Sequence, residues 1–313
     1  MSLHSELPLV SVITPSYNQG VFLEATIRSV LEQSYPHIET IVIDGGSTDD
    51  SVDIIARYAD RLAYWVSEPD RGQAHAINKG LHRANGSILG WLNSDDVMLP
   101  STVGRIVDTF QNEADVDVVY GRLQRIDKAG NSVPTPILPK DQVTFDKCHA
   151  IGECIVNQPG SFWRRRIMDE AGMLNEELHY ALDYEYWVRL LLAGARFKRL
   201  EENVADFRLS ADSKTVGQTA SMAREHLAVI DRFLSDPDLA EKLGISPQEL
   251  AEQARRGRAL ISLYAFYGTM KEDGMSREAA GWLREAVRTH PQSLLHRRWI
   301  DLGMAGLQRR LFR

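Results

Sequence analysis

The sequence predicts an α/β protein: a mostly parallel sheet with helices on both faces, followed by a helical C-terminal region. Three observations predict it. Short β-branched runs alternate with amphipathic helical patterns through the first 120 residues, as βαβ units require. Those runs are mostly apolar along their whole length, which suits strands buried on both faces. Beyond residue 219 the strand pattern stops and helical spacing takes over.

Residues 9–14 form the first strand, closed by Pro15. Leu23, Ile27, Val30 and Leu31 share one face of the helix that follows. Residues 38–44 are the second strand, ended by Gly45 and Gly46; Ser47 or Thr48 then caps a helix carrying Val52, Ile55 and Tyr58. Residues 62–67 are the third strand, and residues 73–84 a helix stopped by Asn85 and Gly86. A fourth strand ends at Leu92, a helix spans residues 102–111, and residues 116–120 are the fifth strand. From 121 to 208 the pattern is mixed. Gly130-Asn131 signals a hairpin, and Pro134, Pro136 and Pro139 mark a loop. Residues 183–193 read as a helix with Trp187, Leu190 and Leu191 inward. These shifts divide the chain into residues 1–215 and a helical region, 216–313, whose segments are separated at Asp236-Pro237 and Ser246-Pro247.

The 313 residues are 43% hydrophobic and 25% charged, the balance of a soluble globular protein. A net charge of -7 disfavours nucleic acid as a partner. Cys148 and Cys154 lack a second ligand cluster, which argues against a zinc site or disulfide framework and suits a reducing compartment. Residues 1–8 lack the pattern of a signal peptide, and no window approaches 18 apolar residues. A cytoplasmic location is therefore expected. Residues 291–313 hold five arginines and one acid, Asp301. Leu295, Trp299, Leu302, Leu307 and Leu311 are interspersed among them. Two readings stand: a docked helix with a solvated basic face, or an interfacial helix lying on anionic lipid at the inner face of a membrane.

Ligands of parallel sheets bind outside the carboxyl ends of the strands. Those ends carry Pro15-Ser16-Tyr17-Asn18, Asp44-Gly45-Gly46-Ser47, Glu68-Pro69-Asp70-Arg71 and Asn93-Ser94-Asp95-Asp96. The four loops are expected to line one polar, acidic cleft. The Asp95-Asp96 pair is either a turn capping the helix at Ser101 or a binding site for a hard divalent cation. Neither GxGxxG nor GxxxxGK[ST] occurs. Acidic loops, a metal and Arg71 together suggest a diphosphate ligand, because a cation bridges phosphate oxygens and arginine pairs with them.

The segments 10–18, 44–49 and 92–96, in this order at successive strand ends, resemble the nucleotide-sugar-binding motifs of glycosyltransferase family 2, which has the GT-A fold. The resemblance spans residues 8–208 and implies that the domain 1–215 has a nucleotide-sugar half, about 8–120, and an acceptor half, about 121–215. It implies that Pro15 and Tyr17 border the base of a nucleoside diphosphate, with Tyr17 stacking on it. Asp44 then bonds to the base or ribose, and Gly45 stands where the family commonly has a second Asp. Asp70, Arg71 and Asn78 fall near the ribose, pyrophosphate or sugar. The Asp-any-Asp metal motif lands on Asn93, Ser94 and Asp95. Asn93 replaces the first carboxylate, so Asp95 is the first expected ligand of Mn2+ or Mg2+ and Asp96 the second. Asp183 matches the presumed general base, with Leu182 in place of the Glu before it. Gln158 and Trp187 fall on the acceptor side. Ser210 stands where relatives often have His. Arg164-Arg165-Arg166 reads as a solvated helix start.

The implied function is inverting, metal-dependent transfer of a sugar from a nucleoside-diphosphate sugar, with uridine or another pyrimidine favoured. The acceptor is a saccharide or lipid-linked molecule, in cell-surface polysaccharide biosynthesis. Two alternatives stay open. A sugar-phosphate nucleotidyltransferase would want a glycine-rich basic loop after the first strand. A catalytically weak sugar-nucleotide-binding or scaffold protein fits the departures at Gly45, Asn93, Leu182 and Ser210.

Overall fold

The structure, a computed structural model, describes residues 7–134, 145–152, 155–209 and 218–295. By contact the chain divides into two units: Met1–Asp146 with Cys154–Ser210, and Lys147–Glu153 with Ala211–Arg313.

The first unit alternates β1 (Val10–Ser16), α1 (Gly20–Leu31), β2 (Ile38–Asp44), α2 (Ser51–Arg57), β3 (Tyr64–Ser67), α3 (Gln73–Arg83) and β4 (Ile88–Trp91). It continues with β5 (Val97–Met98), α4 (Thr102–Asn112), β6 (Val118–Ile126), β7 (Ser132–Val133), β8 (Phe162–Arg164), α5 (Arg165–Ala171), α6 (Leu182–Leu192) and β9 (Phe197–Arg208). The sheet order is β3-β2-β1-β4-β8-β6-β9-β5, with β7 on β6. β1, β2, β3 and β4 are parallel. β8 runs antiparallel between β4 and β6, so those two point the same way without touching. β9 is parallel to β6, and β5 antiparallel to β9.

Side-chain alternation along β1 separates two cores. Val10 and Val12 pack with Val30 of α1 and Val103, Ile106 and Phe110 of α4. Ile13 points the other way, against α3, where a side chain at Gly80 would run into it. Trp91 lies beside Ile13 in register and shares that face. There Trp91, Trp163, Tyr186 and Trp187 form one aromatic cluster. Such rings bury roughly 150–250 Å² each, and this packing fixes α6 against β4.

Two predicted features change. Ser47 and Thr48 do not cap α2, which begins at Ser51. Ser47 instead donates to Asp44 and accepts the Asn18 backbone N–H, and Thr48 donates its backbone N–H to Asn18. Three strands are also unexpected: β5, before the mixed region, and β8 and β9 within it. β5 and β8 are too short for any periodicity to show, and β9 is mostly partly exposed. The hairpin expected at Gly130-Asn131 is present, joining β6 to β7.

The second unit contains α7 (Thr219–Leu234), α8 (Leu239–Leu243), α9 (Pro247–Asp273) and α10 (Arg277–Thr289). Ser246 and Glu249 form a capping box that starts α9 with Pro247 in its first turn. Ala259, Leu263 and Ala286 make its small core, flanked by Leu283 and Leu294. Close packing of α9 on residues 151–152 requires glycine at both Gly152 and Gly257, whose backbones nearly touch. No helix among the described residues is long and apolar enough to cross a membrane. The basic tail beyond Leu295 and the segment around Ser210 lie outside the described residues.

Candidate active site

The first two strand ends are laced together before any ligand is considered. Asn18, with φ 51°, accepts the Thr48 N–H at 2.8 Å. Asp49 accepts the Gly20 N–H at 2.9 Å. Asp44 is fully buried; its carboxylate accepts from Gly46 N (3.1 Å), Ser47 N (2.9 Å), Ser47 Oγ (2.5 Å) and Ser67 Oγ (2.6 Å). These four donors account for the acceptor sites of a carboxylate. Asp44, expected to bond to base or ribose, is thus held by donors of its own loop and of Ser67. Pro15 is buried within β1. Tyr17, beyond it, is 60% exposed.

The third loop offers Arg71, whose exposed guanidinium pairs with Glu176. Asn78, placed near the donor by resemblance, is only 6% exposed and its carboxamide is committed elsewhere. It donates to Leu174 O and Glu176 Oε1 and accepts the Leu174 N–H. Asn78 thus ties residues 174–176 to α3. Together with Arg71 it holds the Glu176 carboxyl below the usual range.

The fourth loop is pinned on every residue. Thr26 of α1 donates its hydroxyl to Ser94 O (2.9 Å) and Asp96 O (2.7 Å). Arg208 donates through Nε to Asp95 O at 2.9 Å and its N–H meets Asp96 Oδ1 at 3.1 Å. Asn93 sits in a chain of amides. Gln73 Nε2 donates to Asn93 Oδ1 (2.8 Å), Asn93 Nδ2 donates to Gln158 Oε1 (2.9 Å), and Gln158 Nε2 donates to Trp91 O (2.9 Å). This chain explains an amide at position 93, because Gln158 Oε1 requires a donor there. It also places Gln158, predicted on the acceptor side, as a buried support for the loop.

Asp95 and Asp96 separate sharply. Asp95 is half-exposed; Asp96 is fully buried, with Oδ2 unbonded among the described residues. Burial and the neighbouring Asp95 charge push the Asp96 carboxyl well above the usual range, against the Arg208 N–H and guanidinium. Asp96, expected as the second metal ligand, is thus the enclosed carboxyl of the pair, and Asp95 the one that reaches solvent. Among the described residues no group of three His, Cys, Asp or Glu could hold a metal ion. One carboxylate still fits a Mg2+-type ion, which is bound through one or two carboxylates, waters and substrate phosphates.

Asp183 opens α6, where its carboxylate accepts the Tyr184 N–H at 2.8 Å. Trp187, expected on the acceptor side, is 1% exposed and stacks on Trp91 at 5.6 Å and 7°. It is a core residue that seats the Asp183 helix against the strand feeding the Asn93 loop. Of the three arginines expected as a solvated helix start, Arg166 is exposed and Arg164 and Arg165 are partly enclosed. Arg164 holds the carbonyls of Phe110 and Val116, Arg165 those of Ala84 and Gly86, and Arg166 pairs with Asp117. Arg208 was the missed site residue. A charged residue closing a β-run was its only sequence signal, and its burial at 5% is what makes it structural.

The strand order, the polar carboxyl edge and the pinned Asp95 loop define a GT-A type fold of the nucleotide-sugar transferase class. Residues 11–171 match the model of glycosyl transferase family 2, and the chain belongs to that family. An uncharacterized glycosyltransferase of Rickettsia conorii is 30% identical over 193 residues, 58% of this chain and 31% of that protein. This chain thus spans about a third of that relative's length. S. aureus TarS 1-349 in complex with UDP-GlcNAc has the same fold, with a TM-score of 0.64 at 17% identity over 91% of this chain and 81% of that one. So does the mannosyltransferase PcManGT from Pyrobaculum calidifontis in complex with GDP-Man and Mn2+, at TM-score 0.61 and 18% identity over 97% and 87%.

Proposed function

We propose that this protein transfers a sugar, with inversion, from a nucleoside-diphosphate sugar to a saccharide or lipid-linked acceptor, in building a cell-surface polysaccharide. The observation that carries the reading is the stack of Trp187 on Trp91, with Tyr186 tilted against the same ring. It sets the Asp183 turn on the helix packed against the strand that delivers Asn93 to Asp96. Tyr17 offers an exposed face for a base, and Arg71 an exposed cation for the diphosphate. TarS and PcManGT, of like fold, were solved with nucleotide sugars, which supports this class of donor.

In this mechanism Asp183 accepts the proton of the acceptor hydroxyl as that oxygen attacks the anomeric carbon. Attack occurs opposite the departing diphosphate, so configuration inverts. Asp95 would hold Mn2+ or Mg2+, which neutralises charge on the leaving diphosphate when bound. Thr26, Arg208 and the amide chain keep Asp95 in place, so little reorganisation accompanies donor binding. The carboxylate of Asp183 is the only group whose loss should abolish transfer while sparing donor affinity. Asp183→Asn, assayed for donor binding by calorimetry and for sugar transfer with and without Mn2+, tests this. Retained binding with transfer reduced by 10² or more is expected; unreduced transfer refutes the role. A wild-type protein that binds donor but transfers nothing supports the scaffold alternative. We assign residues 1–215 to the transferase domain and 216–313 to a helical region, and the basic segment from 294 to membrane contact.

A further inference from the structure

A cavity lies away from the carboxyl edge of the sheet. The sheet ends at β3, and α3 lies chiefly over β1 and β2, one strand in from that edge. Along β3 the side chains alternate. Trp65 packs into the core with Leu23, Ile27 and Ile54, whereas Tyr64 and Val66 face the side of α3. A groove of about 190 Å3 remains between helix and edge strand, floored by Tyr64, Val66 and Ile43. Its wall is one stripe of α3: Lys79, His82 and Arg83, at the i, i+3 and i+4 positions. α3 starts at the carboxyl edge and runs back from it, so these last turns stand apart from the cleft. Glu68 also lines the groove and pairs with Lys79 at 2.8 Å. Lys79 donates in addition to Pro69 O at 3.3 Å. The Arg83 guanidinium lies over the Tyr64 ring, 4.6 Å from its centroid, and makes no hydrogen bond or ion pair among the described residues.

We infer that this groove binds a small organic phosphate, and that its occupant loosens the loop carrying Asp70 and Arg71. Glu68 answers the charge of Lys79 and no acid answers Arg83, so the complement of the wall is an anion. A cation over a ring keeps its N–H edge for acceptors, and a guanidinium fork matches phosphate oxygens. The apolar floor takes an apolar body, which sets an organic ester above free phosphate. The groove is smaller than the roughly 300–1,000 Å3 of drug-sized sites, so its occupant is compact. A phosphate bridging Arg83 and Lys79 competes with Glu68 and Pro69 O for the ammonium. Those two contacts tie residues 68 and 69 to α3, so donor affinity falls as the groove fills. That consequence rests on the nucleotide-sugar reading above, and the coupling is reciprocal.

Titration calorimetry of the full chain tests both halves, with phenyl phosphate as the probe. Phenyl phosphate is expected to bind more tightly than inorganic phosphate. Arg83→Ala, at an exposed position, is expected to weaken it roughly tenfold, the worth of a hydrogen bond to a charged group. Arg71→Ala is expected to leave it unchanged. Weakening in Arg71→Ala as great as in Arg83→Ala puts the anion in the cleft and overturns the site. Equal binding of inorganic phosphate, or no saturable binding, overturns it too. Saturating phenyl phosphate is expected to raise the Kd for UDP with Mn2+ severalfold in wild type and not in Arg83→Ala. A wild-type Kd that does not move, or one that rises equally in Arg83→Ala, overturns the coupling. A chain that binds phenyl phosphate and no UDP overturns the nucleotide-sugar reading and the coupling with it, and leaves the groove standing.

Discussion

Restoring a carboxylate at position 93 should weaken this protein. The family motif suggests the reverse, since Asn93→Asp adds a third acid to the metal loop. In this chain the Asn93 amide donates to Gln158 Oε1, and Gln158 in turn donates to Trp91 O. An aspartate there sets two acceptor oxygens 2.9 Å apart. Turning the Gln158 amide over repairs that contact but sets Oε1 against the Trp91 carbonyl instead. Either way one hydrogen bond around the buried Gln158 is lost, which costs about 1–3 kcal/mol. The new charge also faces Asp95 and Asp96, an added penalty when no cation is present. For a unit of this size the loss corresponds to a fall in Tm of roughly 2–10 °C in EDTA. Thermal unfolding followed by near-UV circular dichroism, with EDTA and then with Mn2+, measures it. Mn2+ should recover part of the loss, by screening the extra charge. A variant as stable as wild type in EDTA refutes the reasoning.

Arg208→Met removes the guanidinium that holds Asp95 O, Asp127 O and Lys128 O and offsets Asp96. Unpairing a buried charge destabilises by about 3–5 kcal/mol, read as a lower urea midpoint; a shift under 1 kcal/mol would contradict the pinning role. Trp187→Ala opens a cavity in the aromatic cluster and should destabilise by roughly 3–5 kcal/mol. Its kcat should fall more than its donor affinity, because the Asp183 helix loses its seat; equal falls would argue against that coupling. Burial opposes ionisation of Glu39, yet bonds from Ser11, Asn85 and Gly86 hold its carboxyl below the usual range. That stability is present above the unfolded pKa and lost as pH falls through the folded one. Tm of wild type should therefore exceed that of Glu39→Gln at pH 7, with the gap closing towards pH 3; a gap independent of pH would sink the assignment.

Several site assignments changed between sequence and structure, and the changes share one cause. A motif names a residue type, and burial decides what that residue does. Asn78, Trp187 and Gln158 sit in the expected segments, but each is enclosed and committed to the scaffold. Asp96 follows Asp95 by one residue and lies on the opposite side of the loop. Arg208 left little local signal beyond a charge closing a β-run, since its partners are 80 or more positions away.

The sequence alone determined the strand and helix alternation through residue 120, because buried parallel strands and amphipathic helices each leave a period that survives without context. It also determined the four polar strand ends, which follow from chain direction in a parallel sheet. Tertiary structure decided β8, the strand between β4 and β6 that brings Gln158 to Asn93. It also decided which acids face outward. Those outcomes depend on contacts between distant segments, and no local pattern of residues encodes them.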